Sequence, residues 1–326
     1  MTAPDAGALS NPSSERSARR PLILWQAEPD PVATQLKTIV ALDAAGVDAV
    51  LLPSVSPASP DPILVAGAAS RRAPAIGLVP MLSPWIQPPF HTARALGTLD
   101  ALTSGRAGWF VVAGPSTFVS TDDTPRWNAS LVTDAGELDS ATRDYLEAVF
   151  ALWNSWQPGA LIADVESGQY VDPARVHVTD YHGDFFDVRG PLNMPRPPQG
   201  RPTVIARFMA GSAASTKADV AVVDDEADVV EARGSAPIVL LELSGERAAE
   251  PVASSADGYL ISGISSAANG SLFGEVLYSV LPGLVSHTPS VPLLRDRFAL
   301  DAARFAWSAP SPTVDPTSSL LSKGLR

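Results

Sequence analysis

The sequence predicts an α/β protein: a closed (β/α)8 barrel with an insertion before its fifth strand and reduced helices in its second half. Three observations predict it. Eight short apolar runs recur along the chain, none with clean in–out alternation, which is the pattern of strands buried on both faces. Amphipathic segments alternate with them, as in a sheet whose crossovers are helical. The 326-residue length accommodates a barrel of about 250 residues between two polar ends. A doubly wound open sheet is the alternative, but no G-x-G-x-x-G follows the first strand, which argues against a dinucleotide-binding version of it.

The strand candidates are "LILW" (22–25), "AVLLP" (49–53), "IGLVP" (76–80), "AGWFVVA" (107–113), "TVIARF" (203–208), "VAVV" (220–223), "PIVLLEL" (237–243) and "GYLIS" (258–262). The first helix is "DPVATQLKTIVALDAAG", with Asp30 as N-cap, Pro31 at the first helical position and Gly46 as its stop. Leu36, Ile39, Val40 and Leu42 form its apolar stripe. "HTARALGTLDALTSG" repeats the design, with Ala95, Leu96, Leu99 and Leu102 inward and Gly105 at the end. The longest helix, "SATRDYLEAVFALWNSW", is capped by Ser140 and places Leu146, Val149, Leu152, Trp153 and Trp156 on one face. "SLFGEVLYSVLPG" follows the last strand.

The second half is thin. Only "MAGSAASTKAD" joins the fifth and sixth strands, at the lower limit for a parallel crossover. "SGERAAEPVASSAD" joins the seventh and eighth and carries Pro251 at its centre. Residues 1–20 and 307–326 read as tails too poor in apolar residues to offset their ordering entropy. The barrel domain is placed at 21–306, with the insertion at 157–202.

Composition narrows the chemistry. The net charge is −12, with a sequence pI of about 4.7. Such a surface repels phosphate backbones and anionic lipids, which argues against nucleic-acid and membrane partners. There is no cysteine, so disulfides, thiolate metal sites and a cysteine nucleophile are excluded. No apolar run reaches the length of a membrane helix, and the N-terminal residues lack the apolar core of a signal peptide. A cytoplasmic location is expected.

Between the longest helix and the fifth strand runs "HGDFFDVRGPLNMPRPPQGRP" (182–202), with five prolines in its last twelve residues. It is neither helix nor central strand. This connector, with the preceding "SGQYVDPARVHVTDY", "YLEAVFALWNSW" and "LGTLDALTSGRAGWFVVAG", resembles the bacterial luciferase-like flavin monooxygenases, in the nitrilotriacetate and dibenzothiophene-sulfone branch. "DPILVAGAASRRAPAIGLVPMLSPWIQPPFHTARALGTLD", "ADGYLISG" and "PLLRDRFAL" extend the likeness patchily over residues 21–300.

The resemblance implies a luciferase-like barrel that uses O2 and reduced FMN from a separate flavin reductase, acting on a small organic substrate, commonly as a homodimer. A deazaflavin is the alternative cofactor. It also implies that the connector crosses the barrel mouth and forms a wall of the pocket. The cofactor-binding candidates it gives are Ser54, Phe110, Gly211 and Ser212. Ser54 stands where the family has an acidic residue after its second strand. Phe110 replaces an asparagine, and Ala113 and Gly114 replace a Thr-Ser pair. Leu138 and Asp139 stand for an Arg-Tyr pair. "AGSAAS" (210–215) corresponds to the run that helps hold the phosphate, with Gly211 and Ser212 facing it. These replacements remove several polar contacts together, and each hydrogen bond to a charged group is worth about 1.5–3 kcal/mol. A catalytically impaired relative, acting as a binding or structural subunit, is therefore the second functional reading. No catalytic residue is assigned, because oxygen is activated on the flavin.

Other conspicuous residues have plainer readings. His91 is expected to make a structural hydrogen bond. His177, Asp180 and His182 have a loosely metal-like spacing, but match family positions without a metal. Arg189, Arg196 and Arg201 are expected to pin the connector to backbone carbonyls. Trp109, Trp153 and Trp156 are read as core, and Phe110 as filling a pocket rather than lining it.

Overall fold

The structure, a computed structural model, describes residues 20–53, 60–84, 87–113, 135–250, 254–285 and 293–303. Strands β1 (Leu22–Gln26), β2 (Ala49–Leu52), β3 (Gly77–Leu82) and β4 (Gly108–Val111) are consecutive parallel neighbours. A short antiparallel pair, β5 (Tyr181–His182) and β6 (Asp187–Val188), interrupts the series. β7 (Thr203–Arg207), β8 (Val220–Val223), β9 (Ile238–Ser244) and β10 (Gly258–Ser262) complete it, and β10 pairs with β1 to close an eight-stranded barrel. All eight apolar runs became barrel strands because each buries side chains both inward and against outer helices.

The outer helices are α1 (Val32–Ala44), α2 (Pro62–Ala69), α3 (Pro89–Leu102) and α4 (Ala135–Trp153) in the first half. They shrink to α5 (Ala213–Lys217) and α6 (Val229–Ala232) in the second. α7 (Gly270–Glu275) continues through a π-helical turn into α8 (Leu281–Leu284), and α9 (Leu294–Arg297) is the last described helix. Among the described residues between β9 and β10, the wall is a 3-10 turn, Gly245–Ala249.

Local readings needed correction in four places. Pro31, not Asp30, is the N-cap of α1; the Asp30 carboxylate instead accepts from Ser265 Oγ at 2.9 and 3.0 Å. α4 begins at Ala135, so Ser140 lies inside it rather than capping it. Val40 and Leu102 turn outward, Leu102 with 64% of its surface exposed. In place of Leu102, α3 buries Asp100.

Asp100 has a defined task. Its carboxylate accepts from Gln199 N (3.2 Å), Gln199 Nε2 (2.6 Å) and Ala107 N (3.2 Å), tying the end of the connector to α3 and to the start of β4. Burial pushes its carboxyl up to about 6, against the pull of the Gln199 and Ala107 N–H groups and Arg295. The folded protein thus binds this proton more tightly than the unfolded chain does. The group's stabilisation is complete below pH 4 and is lost as pH rises through about 6. In urea unfolding, wild type is expected to lose stability relative to Asp100→Asn between pH 4.5 and 7.5. A pH-independent difference between the two proteins rules this out.

The connector departs most from expectation. Among the described residues, its hydrogen bonds beyond itself run to α3, α4, the starts of β4 and β8, and the C-terminal segment, not to the mouth. The buried Asp144 carboxylate on α4 accepts from Phe185 N (2.6 Å), Phe186 N (2.9 Å) and the Tyr181 hydroxyl, clasping the β5–β6 hairpin. Gly183 lies against that carboxylate, where any side chain would collide with it. Trp156 Nε1 donates to Leu192 O at 2.7 Å. Arg196 reaches Ala303 O (2.9 Å), as a carbonyl-pinning arginine should, whereas Arg201 pairs with Asp219 (2.6 Å) and lies over the Phe150 ring. The prolines stiffen a strap around two outer helices, and the strap enters β7 from below.

The N-terminal end of the barrel is closed. α9 inserts Leu294, with Phe298 and Leu300 following, beneath the interior residues Leu24, Leu51, Val79, Phe110 and Ile205. Gly77 and Gly108 leave room for it: a Cβ at Gly77 would sit 2.7 Å from Leu294 Cδ1. Trp109, pointing outward from β4, and Trp153, on the inner side of α4, are fully buried in one cluster, with Nε1 groups bonded to Leu82 O (3.1 Å) and Ala93 O (2.9 Å).

Candidate functional site at the barrel mouth

Barrel enzymes carry their chemistry at the C-terminal ends of the strands. Inward positions alternate along each strand, so the residues two steps above the packed layer define the rim. Among them are Arg207 at the end of β7, Glu242 near the end of β9 and Ser262 at the end of β10. Ser262 Oγ donates to Glu242 Oε1 at 2.5 Å. Arg207 Nη2 lies 2.6 Å from Glu242 Oε2, an ion pair without an aligned hydrogen bond, and its Nη1 contacts the exposed Asp224 carboxylate. Glu242 is largely buried and Arg207 is 41% exposed, so the pair runs from the barrel interior to solvent.

The seam between the first and last strands is also tied. Glu28 Oε1 accepts from Gly263 N at 3.1 Å, and burial pushes the Glu28 carboxyl up against that hydrogen bond. Thr38 and Ser266 hydroxyls meet at 2.8 Å.

The four cofactor candidates fare differently. Ser54 and Gly114 lie outside the described residues. Phe110, in β4 between Met81 and Ile205, is 4% exposed and packed among the aliphatic side chains of the barrel interior. Its ring forms part of the floor below the rim. Gly211 has φ +74°, and a Cβ there would meet nothing within 4 Å, so the loop after β7 presents open backbone. Ser212 is the N-cap of α5: its Oγ accepts from Ser215 N (3.2 Å) and bonds Ser215 Oγ (2.9 Å), which in turn reaches Arg207 O (3.3 Å).

A carboxylate already occupies this loop. Asp139, from the first turns of α4, accepts from Ala213 N at 2.7 Å, while its other oxygen lies 3.4 Å from Arg143 Nη2. Among the described residues the nearby cations are paired: Arg143 with Asp139, Arg207 with Asp224 and Glu242, and Lys217 with Glu147 at 2.7 Å. An FMN phosphate needs free donors and positive charge. The described residues of the loop offer it a neighbouring anion instead, so they do not fit the phosphate of FMN.

Of the histidines, His91 is exposed at the start of α3 with its ring edge-on to Phe90. His177 meets Gln157 at 2.7 Å, and His182 sits between Asp187 (2.9 Å) and Asp180 (3.5 Å) on the exposed hairpin. A cavity of about 410 Å³ lies at the opposite end of the barrel, walled by Trp156, Pro158, Arg196, Pro197, Leu293 and Ala303. It also has Gln157, Gln199, Arg295 and Asp296 in its wall, but it lies remote from the strand C-termini where barrel chemistry is carried.

Sequence reading passed over Arg207, Glu242 and Ser262. The signal was present: each is a polar residue in an apolar run, in phase with the inward-facing positions, at the end of a strand rather than its start.

Comparison with known proteins gives a consistent picture. Residues 12–269 match the luciferase-like monooxygenase family. The chain is 32% identical over 236 residues to one of the named subunits of pristinamycin IIA synthase from Streptomyces pristinaespiralis, covering 71% of this chain and 77% of that one. It is 41% identical over 133 residues to the dibenzothiophene-sulfone monooxygenase of Rhodococcus erythropolis, covering 40% of this chain but only 28% of that enzyme's length. EDTA monooxygenase from Chelativorans sp. BNC1 shares the fold, with a TM-score of 0.69 at 17% identity over 88% of this chain and 100% of that chain. A closed barrel with a polar rim, reduced second-half helices and a family match over most of its length has one reading: the chain belongs to the luciferase-like monooxygenase family.

Proposed function

We propose that the chain works in flavin-dependent monooxygenation of a small organic molecule, in a system where a separate reductase supplies reduced flavin, and that it does so as a subunit that does not by itself retain FMN. Family membership supports the first part, as does a mouth whose rim keeps an ion-paired Arg207–Glu242–Ser262 set above an apolar floor. The second part is carried by one observation: the Asp139 carboxylate sits on Ala213 N, in the loop where the resemblance places the FMN phosphate. The likeness to a protein named as one subunit of a synthase agrees with it. The rim residues have local roles here. Glu242 holds Arg207 and Ser262 in place, the Glu28–Gly263 contact closes the seam, and Phe110 with its neighbours keeps water out from below. Pairing with another barrel through the outer helices follows from the resemblance.

The test is a titration of the purified chain with FMN, read by flavin fluorescence, alongside an assay with a flavin reductase, NADH, O2 and candidate substrates. The chain alone is expected to bind FMN more weakly than a Kd of about 100 µM and to consume no substrate. Saturable binding in the low micromolar range, or turnover by the chain alone, overturns the subunit assignment in favour of a self-sufficient reduced-FMN monooxygenase.

A further inference from the structure

We infer that Asp139 is a built-in selector against phosphorylated tails: its carboxylate stands in for a ligand phosphate at the loop after β7, so the mouth discriminates between flavins by the charge of the tail. This rests on the reading of the mouth as a flavin-handling site. Three features of the structure support it. The carboxylate is well seated, accepting from Ala213 N at 2.7 Å, so that amide is no longer available to another anion. It is also open to an incoming group, with 37% of its side chain exposed. And among the described residues little surrounding charge is left for a second anion: Arg207 and Lys217 each already face another carboxylate, and Arg143 lies 3.4 Å from Asp139 itself in an exposed, solvent-screened pair.

The chemistry of the tail then decides. A phosphate carries acceptors and negative charge, and beside Asp139 it meets like charge, which disfavours it. A ribityl hydroxyl carries an O–H that the same carboxylate can accept. The site therefore takes riboflavin in preference to FMN. Gly211, with open space where its Cβ would be, leaves that side of the loop accessible.

Two variants separate charge from hydrogen bonding. Asp139→Asn keeps an acceptor for Ala213 N and removes the charge. Asp139→Ala removes both and frees the amide. Wild type and both variants are titrated with riboflavin and with FMN by fluorescence quenching at low and high salt, with circular dichroism confirming the fold. Wild type is expected to favour riboflavin over FMN by about tenfold or more at low salt, with the preference shrinking as salt screens the repulsion. Asp139→Asn is expected to raise FMN affinity about tenfold and Asp139→Ala at least as much, with riboflavin affinity changed less than about threefold in Asp139→Asn. An FMN affinity unmoved by both substitutions overturns the inference, as does the absence of binding of either flavin to all three proteins. The latter result leaves the subunit reading standing. Tight FMN binding by wild type sinks that reading instead.

Discussion

Asp219→Ala is expected to destabilise the fold by about 3–5 kcal/mol. Asp219 sits just before β8 at the N-terminal face and is almost wholly buried. Its two oxygens serve three groups. One accepts from Arg201 Nη2 at 2.6 Å, and the other from Arg295 Nη1 and from Val204 N, both at 2.9 Å. Arg295 is as buried as Asp219, belongs to α9, and holds in place the segment whose Leu294 and Phe298 close the barrel floor. Removing the carboxylate leaves two arginines, one of them fully enclosed, without their counter-ion, and leaves a strand amide unpaired. An isolated buried charge costs more than the net value of the pair it came from. The apparent thermal midpoint should fall by about 10 °C, and α9 should become accessible to proteolysis before the barrel unfolds. Asp219→Asn, which keeps one acceptor but loses the charge, should fall between wild type and the alanine variant. A loss below about 1 kcal/mol in Asp219→Ala would mean that the arginines find solvent and the floor is not held electrostatically.

The strands were legible because their burial is two-sided. A run such as "VAVV" or "GYLIS" has no polar face to hide, and parallel pairing with outer helices is the arrangement that buries both sides. The thin second half was legible for a related reason, since too few residues separate those strands for full helices. Side-chain partnerships over long sequence distances were not legible. Asp30 looks like a helix cap until Ser265, from the loop after the last strand, takes its carboxylate. The burial of Asp100 on α3 likewise depends on Gln199 arriving from the connector. The connector shows the same limit. Its prolines declare that it is stiff, but stiffness carries no direction, and only the contacts to Asp144, Asp100 and Ala303 show that it wraps the outside of the barrel. At the mouth, Asp139 was visible as a replacement for a neutral residue. That it would bond the amide of Ala213 depended on the approach of α4 to α5.

Phe110→Ala is expected to cost about 3–5 kcal/mol, and the result decides whether this ring fills the barrel or lines an empty slot. Phe110 stands on the fourth strand between Met81 and Ile205, two residues above Gly108, where the floor helix packs. Its neighbours are aliphatic side chains from around the barrel, and only 4% of it is exposed. A ring enclosed this way loses both its transfer energy and its packing contacts on truncation, because strands closed into a barrel cannot collapse inward to fill the gap. Phe110→Asn restores the residue type the resemblance gives for this position and should be worse than alanine, since it adds an amide with no partner among those aliphatic groups. Equilibrium unfolding in urea of wild type and both variants measures the difference. If instead Phe110→Ala loses less than about 1 kcal/mol and gains affinity for riboflavin, the ring was bordering open space, because a filled core cannot lose so large an interior side chain so cheaply.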